Sequence, residues 1–100
     1  MKSKKPRRFH QRSRIDIIAC ILENSNEGSR KTRLIYRCNL SHAQFILYRD
    51  CLIETGLLKL STLEDGTEIY ETTSKGREFL RDYRSLKKVL DKMRLQPCMT

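Results

Sequence analysis

The tract TTSKGREFLRDYRSLKKVLDKMRL, residues 72–95, constrains this chain more than any other stretch. Phe79, Tyr83, Leu86, Leu90 and Met93 recur in alternating steps of four and three. Over about three heptads that spacing lays one apolar seam along a single helix, near the shortest length at which a coiled coil is reasonable. The helix starts near Thr73 and must end before Pro97, because a proline ring cannot sit inside a helix. A chain of 100 residues builds one modest core, and a helix this long outreaches it. The seam either folds back on its own domain or pairs with a second chain. Stripes of this size are seldom left in water, so residues 74–96 are expected to form a dimerisation helix.

Upstream, start and stop signals mark shorter elements. In SRIDIIACILEN, Ser13 can cap a helix while Asp16, three residues on, returns the bond and suits the positive helix end. Ile15, Ile18 and Leu22 recur on one face, with Ile17 and Ile21 widening it, and SNEGS stops the helix. A second short helix follows Ser29, burying Leu34, Ile35 and Cys38 with its arginines outward. In CNLSHAQF, Ser41 and Gln44 fit a capping box and Leu40 anchors the turn. Phe45, Tyr48, Cys51 and Leu52 keep helical spacing until Gly56, which can take the left-handed conformation that ends a helix. LLKLS and EIYET alternate as strands do, and Asp65-Gly66 between them signals a hairpin. Helix, helix, helix, hairpin, long helix is the order of a winged helix-turn-helix with a C-terminal extension, a mainly α fold of the α+β class. The winged domain spans residues 13–73.

Charge points to the partner. The opening MKSKKPRRFHQRSR holds Lys2, Lys4, Lys5, Arg7, Arg8, Arg12 and Arg14 and no acid. Like charges this dense repel one another and cannot form a core, so residues 1–12 read as a disordered basic arm. Such an arm either solubilises the chain or lies along phosphates, and further basic clusters downstream favour phosphates. The formal net charge of +9 favours a polyanionic partner, nucleic acid first. No apolar run approaches the roughly 20 residues that cross a bilayer, and the first residues lack the apolar middle of a secretory signal. A cytoplasmic, nucleoid-associated chain without membrane contact is expected.

Metal and catalytic chemistry find little footing. Cys20, Cys38, Cys51 and Cys98 are widely spaced, and His10 and His42 add no ligand cluster. The first three fall beside apolar helix positions, where a thiol packs as a small hydrophobe. No glycine-rich phosphate loop and no nucleophile paired with a histidine and an acid can be assembled. Neither enzymatic activity nor a cofactor is expected.

IDIIACILE, KTRLIYRCNLSHAQFILYRDCLIETGLLKL and YETTSKGREFLRDYRSL resemble the small archaeal winged-helix DNA-binding proteins of about ten kilodaltons, together with related predicted transcriptional regulators, grouped with chromatin components. The likeness covers most of residues 13–93 and rests on KT, Y-x-x-N-L-S, L-x-x-x-G-L-L and T-x-K-G-x-E-F-L. It implies a homodimer held by C-terminal helices in an antiparallel coiled coil, with one winged helix at each end. It implies double-stranded DNA as partner and no catalysis. Two features depart from the simplest form of that pattern. Glu64 and Asp65 on the hairpin would face phosphates badly. With Tyr83 and Leu90 at a positions, Lys87 and Arg94 at e would meet like charge in an antiparallel pair, whereas Asp82 at g would reach Lys87 of a parallel one.

On the third helix, Phe45, Tyr48 and Leu52 define the core side. Ala43, Ile46, Leu47 and Asp50 lie opposite, with Ser41, His42 and Gln44 at the first turn; Ile46 and Leu47 could meet thymine methyls or simply pack beneath a neighbour. Gln44 could pair with adenine or serve only the cap, and His42 could contact a base edge, a phosphate or only solvent. Affinity must then come from Arg30, Lys31, Arg33 and Arg37 on the second helix, which in this motif runs against the backbone. Thr32 adds a neutral phosphate hydrogen bond, and Arg12, Arg14 and the arm residues Arg7 and Arg8 extend the strip. Together they neutralise on the order of five phosphates per protomer. Two rival readings are an RNA-binding winged helix and a protein-interaction module without DNA binding. Tyr36, Tyr48 and Tyr70 all fall on or near expected core positions, which leaves few exposed rings to stack single-stranded bases.

Overall fold

A computed structural model describes residues 13–93. Its elements are α1 (Arg14–Asn24), α2 (Lys31–Arg37), α3 (His42–Glu54), β1 (Leu58–Thr62), β2 (Glu68–Thr72) and α4 (Ser74–Met93). The basic arm, Cys98 and the last three residues of the expected dimerisation helix, 94–96, lie outside the described residues.

Ser13 caps α1, its side chain accepting from the Asp16 backbone N–H at 3.3 Å. The Asp16 carboxylate is engaged otherwise than the capping pattern predicts. Its Oδ2 accepts from the Ser13 hydroxyl at 2.9 Å, and its Oδ1 accepts from the Tyr83 hydroxyl of α4. The buried face of α1 also differs from expectation. Ile17, Ala19, Ile21 and Leu22 are buried, Ile18 is half-buried, and Ile15 is 40% exposed. The widening residues thus form the core stripe, because the helix packs on both α2 and α4 and its inner side is broad.

Helices α2 and α3 end alike. After α2, Asn39 takes a positive φ of 54°, and Leu40 N–H donates to Ile35 O at 3.0 Å. After α3, Gly56 stands at φ 81°, and Leu57 N–H donates to Leu52 O at 2.9 Å. In each case a left-handed residue lets the chain turn back and satisfy a carbonyl that the helix leaves open. Leu40 and Leu58 then drop into the core. Cys38 is buried and Cys20 half-buried, but Cys51 faces solvent, against its expected core position.

β1 and β2 pair antiparallel, from Leu58 opposite Thr72 to Thr62 opposite Glu68. Gly66 N–H donates to Leu63 O at 2.9 Å with Gly66 at φ 90°, and Leu63 N–H donates to Thr67 O at 2.8 Å. This is a three-residue loop closed by a left-handed glycine. On its other edge β2 meets Ser29, which exchanges both backbone bonds with Tyr70 at 2.9 and 2.8 Å. That bridge carries no periodic signal, so the sequence pattern does not announce it.

The core gathers Ile21, Leu22, Leu34, Phe45, Leu52, Leu58, Tyr70 and Leu80. Phe45 and Tyr70 meet edge to face, with ring centroids 5.5 Å apart at 81°. Each such side chain contributes about 1.5–3 kcal/mol by leaving water. Thr73 joins α3, the hairpin and α4. Its hydroxyl donates to Gly56 O at 2.6 Å and accepts from Gly76 N–H at 3.0 Å, while its own N–H donates to Leu57 O at 3.1 Å. Gly76 is buried against this junction, where a Cβ would collide with the Leu57 carbonyl oxygen and stand 2.6 Å from Thr72 Cγ2.

Candidate nucleic-acid interface

Leu34 and Cys38 are both fully buried and fix the inner side of α2. Helical geometry of about 100° per residue then turns Thr32, Arg33, Tyr36 and Arg37 outward, and all four are exposed. Arg30 occupies the N-cap, exposed and without a side-chain capping bond. Lys31 is half-buried, and its Nζ lies 3.3 Å from His42 Nε2. An ammonium has only donors, so the imidazole accepts here. This contact joins the first turns of α2 and α3, and brings two of the expected contact residues together.

The first turn of α3 is tightly capped. Gln44 N–H donates to Ser41 Oγ at 3.1 Å, and Ser41 N–H donates to Gln44 Oε1 at 2.9 Å. The Ser41 hydroxyl proton and the Gln44 amide N–H groups still have donor capacity. Further along, Ala43, Leu47, Asp50 and Cys51 are exposed, Leu47 by 72%. Of the two readings of Ile46, the packed one holds, for it sits half-buried against the core. Arg49 belongs to no motif, yet it accounts for Asp50. Its Nη2 is 2.8 Å from Asp50 Oδ1, and Nη1 donates to the Tyr70 hydroxyl at 3.4 Å. The pair cancels charge on the exposed face of α3. An i, i+1 contact is not a helix-periodic pair, so spacing alone does not reveal it.

Arg14 begins α1 exposed and lines one cleft with Ile18, Gln44, Leu47, Tyr48, Cys51 and Leu52. Arg30, Thr32 and Arg33 share another cleft, with Glu23 and Glu27 among its walls. At the wing tip, the Thr67 backbone N–H donates to Asp65 Oδ1 at 2.9 Å. That bond, helped by the positive charge of Arg30, holds the Asp65 carboxyl below its usual range. Negative charge therefore persists on the wing near the α2 cations. Arg7, Arg8 and Arg12 lie outside the described residues.

Tyr36 reverses an expectation. It is 83% exposed, in the middle of the outward face of α2, rather than near the core. Single-stranded stacking is thus less poorly served than the pattern implies. Tyr70 is buried and Tyr48 half-buried, as the pattern has them.

The seam of α4 divides. Phe79 and Tyr83 are half-buried on their own domain, beside the fully packed Leu80. Burial and the bond to Asp16 push the Tyr83 hydroxyl up to about 12. The same bond, with that from Ser13, holds Asp16 below the usual carboxylate range. Leu86, Val89, Leu90 and Met93 are each more than half exposed. Ile15, Leu86 and Leu90 line a shallow groove with Tyr83, so the open seam runs onto α1. Among the described residues, no three His, Cys, Asp or Glu side chains cluster to hold a metal ion, and no helix is long and apolar enough to cross a membrane.

Comparison with known proteins agrees with this architecture. An uncharacterized protein of Methanocaldococcus jannaschii is 32% identical over 96 residues, spanning 95% of this chain and 91% of that protein. The crystal structure of Sso10a-2, a DNA-binding protein from Sulfolobus solfataricus, matches at 27% identity with a TM-score of 0.66. It covers 85% of this chain and all of the other. The transcriptional regulator BldR from the same organism shares the fold at a TM-score of 0.70 and 22% identity, over 78% of this chain and 59% of its own. Residues 11–91 match the winged helix-turn-helix family, and the chain belongs to it.

Proposed function

We propose that this chain is a duplex-DNA-binding protein that works as a homodimer, either as a transcriptional regulator or as a nucleoid-associated protein. The observation that carries the reading is the cationic edge formed by Arg30, Lys31, Arg33 and Arg37, tied to the first turn of α3 through the Lys31–His42 contact. A recognition helix entering a groove would bring that edge against the sugar–phosphate backbone. The 27% identity to a DNA-binding protein along its full length supports the same partner.

Phosphate contacts dominate this binding. Arg30, Lys31, Arg33, Arg37 and Arg14, with Thr32, Ser41 and the arm residues Arg7, Arg8 and Arg12, engage the backbone. The α3 face supplies the Gln44 amide, His42, and the apolar Ala43 and Leu47 for thymine methyls. With Asp50 held by Arg49, that face adds little attraction and reads sequence loosely. About five neutralised phosphates per protomer give a salt slope of roughly −4 to −5, doubled when both heads engage. The open distal seam of α4 pairs with that of a second copy in an antiparallel coiled coil, setting the distance between the heads.

Replacing Arg30, Lys31, Arg33 and Arg37 together with alanine should weaken binding to all duplexes alike. The slope should flatten by roughly 3 to 4 per protomer. Titrations of labelled duplexes across a salt series check this. An unchanged slope would show that these side chains do not touch phosphate, and absence of any wild-type gel shift in dilute buffer would remove the proposal.

A further inference from the structure

We infer that the outward face of α2 also binds single-stranded nucleic acid, with Tyr36 as its stacking platform and Arg33 and Arg37 shared with the duplex edge. An exposed apolar side chain standing alone needs no explanation. Tyr36 has specific company. It is the most exposed of the large apolar side chains among the described residues. Thr32 and Arg33 stand one turn before it and Arg37 directly after it, all exposed, and α2 contains no acid. The acids Glu23 and Glu27 share a cleft with Arg30, Thr32 and Arg33, which Tyr36 and Arg37 do not line.

The chemistry of this cluster selects an unpaired strand. Inside a duplex each base face is covered by its neighbours, so a protein ring cannot stack on it. In a single strand the base faces are open, and an aromatic ring takes one irrespective of sequence. The arginines on either side of the ring can then hold the phosphates flanking the stacked nucleotide. Lys31 and Arg30 serve the duplex alone, whereas Arg33 and Arg37 take phosphates of either ligand, so the two ligands compete. The inference rests on the duplex reading only in that α2 arginines take phosphates.

The full chain, as wild type, Tyr36→Phe and Tyr36→Ala, would be titrated with labelled short oligothymidylate, oligouridylate and a duplex, all at low salt. Tyr36→Ala should lose about tenfold in oligonucleotide affinity. Tyr36→Phe, which keeps the ring, should retain it, and neither variant should change duplex affinity. Binding of either oligonucleotide supports the surface, and the tighter one identifies the sugar it prefers. The chain has four tyrosines and no tryptophan, so tyrosine emission supplies a second readout. Oligothymidylate should quench it in the wild type, and the quenching should disappear in Tyr36→Phe although binding remains. Wild type that ignores both oligonucleotides overturns the inference, as does Tyr36→Ala that binds them normally or quenching that persists in Tyr36→Phe. Equal loss of duplex affinity in both variants would instead make the hydroxyl a duplex contact. Loss of duplex binding by the wild type would fell the proposed function and leave the oligonucleotide result to be judged by itself.

Discussion

The two ends of α4 carry the same heptad spacing and meet different surroundings. In its first turns Gly76 and Leu80 are buried, and Phe79 and Tyr83 lean half-buried on the domain. Beyond Tyr83, Leu86, Val89, Leu90 and Met93 remain more than half exposed. The near end is an ordinary core helix, where removing water from apolar surface stabilises one chain. The far end has the residues of a core, yet among the described residues little packs over them. A single hydrophobic period can therefore run from a packed core onto open surface, and spacing alone does not tell where one hands over to the other.

The largest expected effect lies at the near end. Gly76→Ala would force a methyl against the Leu57 carbonyl oxygen. Overpacking of this kind costs about 1–3 kcal/mol, and more where backbone must move. Urea denaturation should show the lowered midpoint. A midpoint equal to wild type would mean that the junction yields easily and the near end is not rigid. At the far end, charged residues in place of Leu86 and Leu90 should leave the winged domain folded but yield monomers. Sedimentation showing an intact dimer would refute the seam.

The smallest effect tests the boundary between the two. Tyr83→Phe removes the hydrogen bond to Asp16 and should cost about 1 kcal/mol near neutral pH. It should also change the pH profile. Asp16 titrates lower in the folded chain than its ordinary 3.8, so its contribution is present above that value and is lost as the pH falls through the folded one. Tyr83 is raised from 10.0 to about 12. Its contribution is present below the ordinary value and is lost as the pH rises through the folded one. Both dependences should flatten in Tyr83→Phe. If acid and alkaline unfolding curves of the two proteins superimpose, the bond is not a working latch.

Local chemistry explains which parts of the fold were legible in the sequence. The Ser41–Gln44 cap, the left-handed Gly56 and the hairpin around Gly66 are set within a few residues, and the structure places each where the pattern does. The pattern misleads where distant elements decide. The inner face of α1 is shared between α2 and α4, which promotes Ile17 and Ile21 over Ile15. Tyr36 reads as a core residue because the seven residues of α2 are too few for a reliable period. The Ser29 bridge and the tight seat of Gly76 depend on where β2 and Leu57 lie in space. Among the candidate site residues, the outward placement of Arg30, Arg33 and Arg37 and the cap at the first turn of α3 follow from type and position. The Lys31–His42 contact and the neutralisation of Asp50 do not, since both depend on side-chain conformation.

The knot of hydrogen bonds around Thr73 has a mechanical corollary. With the end of α3 and the start of α4 fastened to one residue, α3 has no independent swivel. Torque applied along the rod in a paired molecule would arrive at α3 as rotation of the whole head. In the proposed dimer the azimuth of each head follows from how many residues separate Thr73 from the pairing axis, and one residue added to the helix would turn each head by about 100°.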